Sequence, residues 1–240
     1  MNAAVVLTVC RSWRRFVAAG LCVVLAGGCE ALRPTASTPA PGYYSLDDAR
    51  GNAAGGRALP AAAPTLVIGP PRAAAGFDSQ RIIYVREAHR LEYFAHSEWI
   101  DPPARMLAPL IVAALRDSGG FSAVVLAPSS AGGDLRLDTE VLRLQQEFAG
   151  QPSRVRFTLR AALVENTSRR VIASRDFEGT ALSASEGPYG GVLAANQAVR
   201  AVLEDLATFC ATAAANWRPA DGRNDDRRDP RGLGPEASRR

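Results

Sequence analysis

Histidine and cysteine are scarce in this chain of 240 residues, which has two histidines and four cysteines. His89 and His96 are seven residues apart and have no cysteine between them. Because a protein metal site needs three or four convergent ligands, this pattern disfavours a metal centre. The sequence also lacks the G-x-S-x-G motif of serine hydrolases and the Lys-Ser/Thr of a phosphate-binding loop. We therefore expect no enzyme activity and no cofactor.

An apolar run of transmembrane length is also missing from the N-terminus. Residues 16–28 form a run of 13 residues that glycines interrupt, whereas a transmembrane helix needs about 20. Arg11, Arg14 and Arg15 precede this run, and small residues close it. This order is typical of a secretory signal, and Cys29 immediately after the cut site is typical of a bacterial lipobox. We expect a covalent lipid on Cys29; plain secretion and an uncleaved anchor are the alternatives.

The chain after signal cleavage would lack both a disulfide and an excess of basic charge. Cys10 and Cys22 leave with the signal and Cys29 carries the lipid, so Cys210 has no cysteine to pair with. Cys210 lies in a helical apolar pattern, which indicates a buried hydrophobe rather than a reactive thiol. The signal holds three arginines and no acid, and the last 23 residues hold seven arginines and five acids. The remaining body is close to neutral, which gives no support to nucleic-acid binding.

Composition divides the chain into four regions. Residues 1–28 are the predicted signal peptide. Residues 29–42 are rich in proline, alanine, serine and threonine, which predicts a lipidated N-terminus and a flexible spacer. Residues 43–217 have the length of one domain, with a low-complexity loop at 49–64. Residues 218–240 are charged and rich in glycine and proline, which predicts a disordered tail.

The clearest predicted strand covers residues 154–164, where apolar residues alternate with Arg154, Arg156 and Arg160. This period of two predicts one buried face. The arginine face is then either solvated or bound by an acidic partner. Both interpretations fit the sequence.

Other segments complete an antiparallel sheet. The alternation in residues 134–148 changes phase after Val141, which predicts a β-bulge. Residues 171–177 return as the third strand of a meander. Shorter strands are predicted at 43–46, 65–69, 81–86 and 90–94, the last two as a hairpin.

Two helices fit the gaps between these strands. Asp101 is the predicted N-cap of the first, with prolines in its first turn, and Pro109 either kinks this helix or marks its true start. The second helix is predicted from about Gly190 to Trp217. This order predicts an α+β fold: a single domain with a mainly antiparallel sheet and two main helices packed on one face.

Several segments together resemble the ABC-type transport auxiliary lipoprotein family. The lipobox and proline-rich spacer match the start of that family, and the similarity covers most of residues 29–215. The insertion at 49–64 and the charged tail depart from the family pattern. The matching segments are 43–46 (YYSL), 66–70 (LVIGP), 81–86 (RIIYVR), 91–94 (LEYF), 99–103 (WIDPP), 135–148, 154–164 and 175–177 (RDF).

The resemblance implies a periplasm-facing lipoprotein of the outer membrane that assists an intermembrane lipid transport system. Such systems combine an inner-membrane permease, an ATPase and a periplasmic protein with MCE domains. The implied role is docking and structural rather than catalytic, with lipid as a further contact, and some members of the family form rings. Glu30, where inner-membrane lipoproteins of enterobacteria have Asp, favours the outer membrane by resemblance.

The hypothetical contact residues for a partner or lipid are Tyr93, Trp99 and the arginine face of Arg154, Arg156 and Arg160. Core packing is the alternative role for the two aromatic residues. A second hypothesis is a stand-alone lipoprotein that binds lipid or a small molecule, which predicts an apolar cavity. A third is a periplasmic enzyme, which predicts carboxylates with perturbed pKa in a cleft.

Overall fold

The computed structural model describes residues 40–47, 63–129 and 132–219. The chain divides into two compact units, Met1–Ala40 and Pro41–Arg240, and every element below belongs to the second. The predicted signal peptide, Cys29, nearly all of the spacer and of the 49–64 loop, and most of the charged tail lie outside the described residues.

Within the described residues, nine strands form one mixed sheet and two long helices accompany it. The single α+β domain is therefore confirmed. In chain order the elements are β1 (Gly42–Tyr44), β2 (Thr65–Ile68), β3 (Arg72–Ala73), β4 (Arg81–Val85), β5 (Glu92–Trp99), α1 (Pro103–Asp117), β6 (Ala123–Leu126), β7 (Leu135–Glu147), β8 (Arg154–Glu165), β9 (Val171–Leu182) and α2 (Pro188–Asn216).

Strand β7 organises the sheet because it forms hydrogen bonds along both edges. One edge forms a long antiparallel ladder with β8, which pairs with β9 in the same way. The other edge is shared by β2, β3 and β4, which run parallel to β7 one after another. The predicted meander is confirmed. The parallel pairs, including β1–β5 and β2–β6, and the short strands β3 and β6 were not predicted from the sequence.

The predicted bulge is in β7 at Leu142. Val141 pairs with Leu159 and Arg143 pairs with Thr158, so Leu142 is the extra residue. Alternate residues up to Val141 are buried, and after the bulge the buried positions begin at Leu144. The bulge thus lets the apolar pattern change phase while the same face of the strand stays on the core.

The predicted hairpin of β4 and β5 is confirmed, but its second strand is longer than expected. The turn includes His89 with a φ of 69°, and β5 continues to Trp99. The β4–β5 register shifts between Arg81 and Ile83. Through this irregularity the chain brings Trp99 into the core, where sequence patterning predicted only a loop.

Both helices differ from the prediction at their starts. The N-cap of α1 is Pro102 and has no side-chain cap, so the prediction of Asp101 as N-cap was wrong. Asp101 instead forms an ion pair with Arg105, one turn later, at 3.3 Å. Pro109 lies inside α1 and does not mark its start. Helix α2 starts at Pro188 and is capped at its C-terminus by Trp217.

One hydrophobic core joins both helices to one face of the sheet. Helix α2 packs on β8 and β9, and α1 packs on β6, β3 and β7 and against α2. The approach of α2 to β9 is close at Gly179. A Cβ at this position would be 2.7 Å from the Ala198 carbonyl oxygen and 2.8 Å from Val202 Cγ2. The absence of a side chain at Gly179 therefore sets the spacing between helix and strand.

Cys210 faces this core and is fully buried, as its helical apolar pattern predicted. Burial raises the pKa of the Cys210 thiol from 9.0 to about 12. The thiol is therefore protonated at neutral pH, and the nucleophilic thiolate is suppressed.

We expect Gly179→Ala to destabilise the domain by about 1–3 kcal/mol, because the new methyl group meets backbone atoms of α2 that cannot rotate away. Urea unfolding followed by circular dichroism measures the free energy of unfolding. Gly150→Ala is the matched control, since a Cβ at Gly150 has no atom within 4 Å. Equal stabilities of the two variants would contradict the close approach of α2 to β9.

Candidate docking face

The face of the sheet opposite the two helices carries the outward side chains of β7, β8 and β9 together with Tyr93 of the hairpin. We call it the open face. Its apolar counterparts on the same strands point toward the helices and form the core. The charged and polar members of the open face are Arg136, Asp138, Glu140, Arg143, Gln145, Glu147, Arg154, Arg156, Arg160, Asp176 and Glu178.

Strand register brings Tyr93 and the predicted arginines onto this one face. Tyr93 pairs with Ile83 in the hairpin, and the β4–β7 register places Ile83 beside Gln145. Gln145 pairs in turn with Arg156. Tyr93 and Arg156 therefore belong to one row across the sheet, three strands or about 14 Å apart at the usual strand spacing. Residues distant in sequence thus form one surface.

Glu147 is the centre of one cluster of ion pairs on the open face. Arg156 donates Nε to Glu147 Oε1 at 2.9 Å, and Arg154 donates Nε to Glu147 Oε2 at 3.2 Å. Arg156 also donates Nη1 to Glu178 Oε1 at 2.6 Å. Burial alone would raise the pKa of Glu147, but the hydrogen bonds from Arg156, Gln145 and Arg154 outweigh it and lower the pKa. Glu147 is therefore held ionised.

Arg160 forms a second cluster with β9. Its Nε and Nη2 atoms donate to the two carboxylate oxygens of Asp176, each at 2.9 Å, and its Nη1 is 3.8 Å from Glu140. The hydrogen bond from Arg160 lowers the pKa of Asp176, and the same bond raises the pKa of Arg160. The predicted arginine face is thus a ladder in which each cation already has an acidic partner within the domain.

Arg143 is an exception among the arginines of this ladder, and sequence patterning did not single it out. It is exposed, and among the ion pairs of the described residues none includes Arg143. Its outward direction follows from the bulge at Leu142, which shifts the phase of β7. The phase change was visible in the sequence, but the missing acidic partner required the paired strands.

Tyr93 and Trp99 occupy different environments. Tyr93 is 52 % exposed, and the guanidinium carbon of Arg81 lies 4.2 Å from the centre of its ring. Trp99 is 3 % exposed and belongs to the core. A partner on the open face reaches Tyr93 and Arg81 directly, whereas Trp99 acts beneath the surface. The assigned contact roles of both residues stay predictions.

Two other aromatic candidates pack against each other at the end of the hairpin. The Tyr84 ring lies 4.6 Å from Phe94 and 5.7 Å from Phe148. A hydrogen bond with Glu92, aided by burial, raises the pKa of Tyr84. These rings form a small apolar cluster rather than the wall of a cavity.

The described residues contain few features of a catalytic or ligand site. No group of three or more metal-ligating side chains occurs among them. None of the described helices combines the length and the hydropathy that crossing a membrane requires. A groove between α1 and α2, lined by Leu110 and Arg200, holds about 40 Å³, and a void beneath Gln146 holds about 10 Å³. An open depression of about 640 Å³ lies beside Trp217 at the end of α2.

Comparison with known families decides the family. The ABC-type transport auxiliary lipoprotein component matches residues 44–207, which include β7, β8, β9 and most of both the hairpin and α2. The chain belongs to this family. The family is one of transport auxiliary lipoproteins and not of enzymes.

Solved structures share the fold. The crystal structure of protein XCC0632 from Xanthomonas campestris is 26% identical, with a TM-score of 0.60, over 73% of this chain and 95% of that one. A structure titled only as an uncharacterized protein is 16% identical, with a TM-score of 0.56, over 71% and 99% of the two chains. The PelC dodecamer of Paraburkholderia phytofirmans has a TM-score of only 0.40 at 18% identity, over 63% and 91%, which carries no argument about assembly. No curated protein matches the sequence.

We expect Glu147→Gln to destabilise the domain by about 1 kcal/mol at pH 7, because it leaves Arg154 and Arg156 without their shared carboxylate. A carboxyl group whose pKa is lowered on folding contributes stability above its ordinary pKa, which is 4.5 for Glu147. The difference from the wild type should therefore be constant near neutral pH and shrink as the pH falls below that value. Urea unfolding between pH 3 and pH 7 measures it.

Glu87→Gln is the matched control, because Glu87 is exposed and its ion pair with Arg90 is long, at 3.7 Å. We expect this change to cost only a few tenths of a kcal/mol. If Glu147→Gln cost no more than Glu87→Gln, the ladder would contribute nothing to stability.

Proposed function

We propose that this chain is a periplasmic lipoprotein, anchored in the outer membrane through Cys29, that serves as a docking component of an MCE-type ABC system for intermembrane lipid transport. The observation that carries the proposal is the family match over residues 44–207, which begins shortly after a lipobox cysteine in the same chain. The lipid on Cys29 provides the anchor, and the α+β domain provides the binding surface. Glu30 supports the outer membrane as its location.

The open face is the proposed docking surface for the MCE protein. Arginine and tyrosine are enriched at the centres of protein interfaces, and the stacked Arg81 and Tyr93 provide both at one side of the face. The ion pairs around Glu147 and Asp176 fix the neighbouring side chains before a partner arrives. A preorganised surface loses less side-chain entropy on binding.

Arg143 supplies the one charge of the arginine ladder that a partner can neutralise without breaking a described ion pair. An acidic side chain on the partner therefore gains an attraction there at little cost to the domain. The permease and the ATPase belong to the same proposed assembly through the MCE protein. A homo-oligomeric ring is also part of the proposal and is supported only by resemblance to other family members.

Crosslinking in native membranes tests the anchor and the partner together. We expect tagged protein, solubilised after crosslinking, to recover an MCE-domain protein identified by mass spectrometry. Cys29→Ala should move the protein from the membrane fraction to the soluble fraction, because it removes the only predicted lipidation site. Recovery of no MCE protein from correctly anchored protein would contradict the transport assignment.

Charge reversal on the open face tests the docking surface separately. We expect Arg143→Glu combined with Tyr93→Ala to reduce crosslinking to the MCE protein about tenfold, as losing one favourable contact and adding one repulsive contact implies. Arg105→Glu is the matched control, since Arg105 is 73 % exposed on α1, on the helix side of the sheet. Thermal unfolding confirms that all variants fold. Equal loss of crosslinking in both variants would show that the open face is not the docking surface.

A second candidate is a stand-alone lipid-binding lipoprotein. The specific observation that favours it is the open depression of about 640 Å³, which Ala211, Ala214 and Trp217 line on one side. The same pull-down separates the two functions. Lipid recovered without any partner protein would support this candidate, and an MCE protein would support the docking function.

A further inference from the structure

Four large apolar side chains surround the start of the domain. Tyr43 is in β1, and Ile100 donates its N–H to the Tyr44 carbonyl at 2.7 Å. The centre of the Tyr189 ring lies 6.5 Å from that of Tyr44, and Leu193 follows one helical turn later on α2. We call Tyr43, Ile100, Tyr189 and Leu193 the entry rim. Each of them is between 41% and 61% exposed.

Other residues hold this segment in place. Leu46 is buried in the core. Asn196 of α2 accepts a hydrogen bond from the Asp47 N–H at 2.9 Å and donates Nδ2 to the Ser45 carbonyl at 3.2 Å. These contacts dock residues 45–47 against α2. The entry rim is therefore apolar surface in excess of what the docking of this segment requires.

The predicted anchor lies close to the rim along the chain. Eleven residues separate Cys29 from Pro41. Fully extended, this spacer reaches about 40 Å, and as a flexible chain its ends are about 20 Å apart on average. A tether of this length holds the rim at a high effective concentration of membrane surface, so that even a weak affinity keeps the rim in contact.

The chemistry of the rim suits the headgroup region of a bilayer. Tyrosine is enriched at membrane–water interfaces, where its ring and hydroxyl meet apolar and polar surroundings together. Strand β1 is the last strand of the sheet order and pairs with β5 on one edge. Its outer backbone edge needs hydrogen-bond partners, which headgroups and water supply and acyl chains do not. This limits the rim to shallow contact.

We propose that the entry rim rests on the lipid surface in which Cys29 is anchored, so that the β1 edge of the domain faces the membrane. Helix α2 starts at the rim and is about 42 Å long, from its 29 residues. Its far end, where Trp217 donates Nε1 to Glu165 at 3.1 Å, then points away from the bilayer. This inference rests on the lipid anchor of the proposed function.

The test replaces the natural anchor by a synthetic one. Protein from residue 29 onward, with Cys29→Ser and an N-terminal hexahistidine tag, is bound to phosphatidylethanolamine–phosphatidylglycerol vesicles that contain a nickel-chelating lipid. An environment-sensitive NBD dye is attached through Leu193→Cys. Val171→Cys is the matched control, because Val171 is equally apolar, 57% exposed, and lies at the far end of α2. The buried Cys210 does not compete for the dye.

We expect the emission of the dye at position 193 to shift to the blue on the vesicles and to become protected from iodide quenching, while the dye at position 171 stays unchanged. No shift at position 193 would overturn the proposal, and so would a shift at position 171 alone. Protection at position 193 that appears only after an MCE protein is added would also overturn it, because the rim would then bind the partner.

A second measurement uses the tag-free protein with Cys29→Ser. We expect Tyr43→Ser combined with Tyr189→Ser to lower its partitioning into the same vesicles on the order of tenfold, with circular dichroism confirming the fold. Unchanged partitioning would contradict the rim. Failure of Cys29 modification or of MCE recovery in cells would instead sink the proposed function and leave both vesicle results standing.

Discussion

The hydrogen bonding of β7 along both of its edges is the constraint on which the rest of the structure depends. On one edge β7 starts the antiparallel meander that carries α2, and on the other it receives three parallel segments from the first half of the domain. The two halves of the chain therefore share one strand. A strand that pairs on both edges leaves no backbone group for another use, so its register sets the position of everything beside it.

The bulge at Leu142 lets this strand serve two surfaces at once. On the helix side it keeps Val141 and Leu144 in the core, and on the open side it keeps the charged residues in line with those of β8 and β9. Without the extra residue, half of β7 would present its apolar residues to solvent. The core and the open face are thus consequences of the same irregularity.

The open face illustrates how a charged surface is nearly satisfied from within. Its arginines are bound by Glu147, Glu178 and Asp176 on neighbouring strands, which makes the face rigid and almost neutral. Specific recognition then depends on the few groups left available, Arg143 and the stacked Tyr93. At the other end of the argument, the segment that enters from the predicted anchor is held by Asn196, so tether and domain are joined without a flexible step after residue 45.

The sequence by itself determined the signal and lipobox, the α+β class, the three-stranded meander and the bulge, because each of these is written in local composition or in a period of two or 3.6 residues. Tertiary structure alone decided the parallel partners of β7, the burial of Trp99 and the acidic partners of Arg156 and Arg160. These depend on which strands become neighbours. Pairing between segments tens of residues apart leaves no periodic trace in either segment, and so only the folded sheet shows which charges are paired and which remain free.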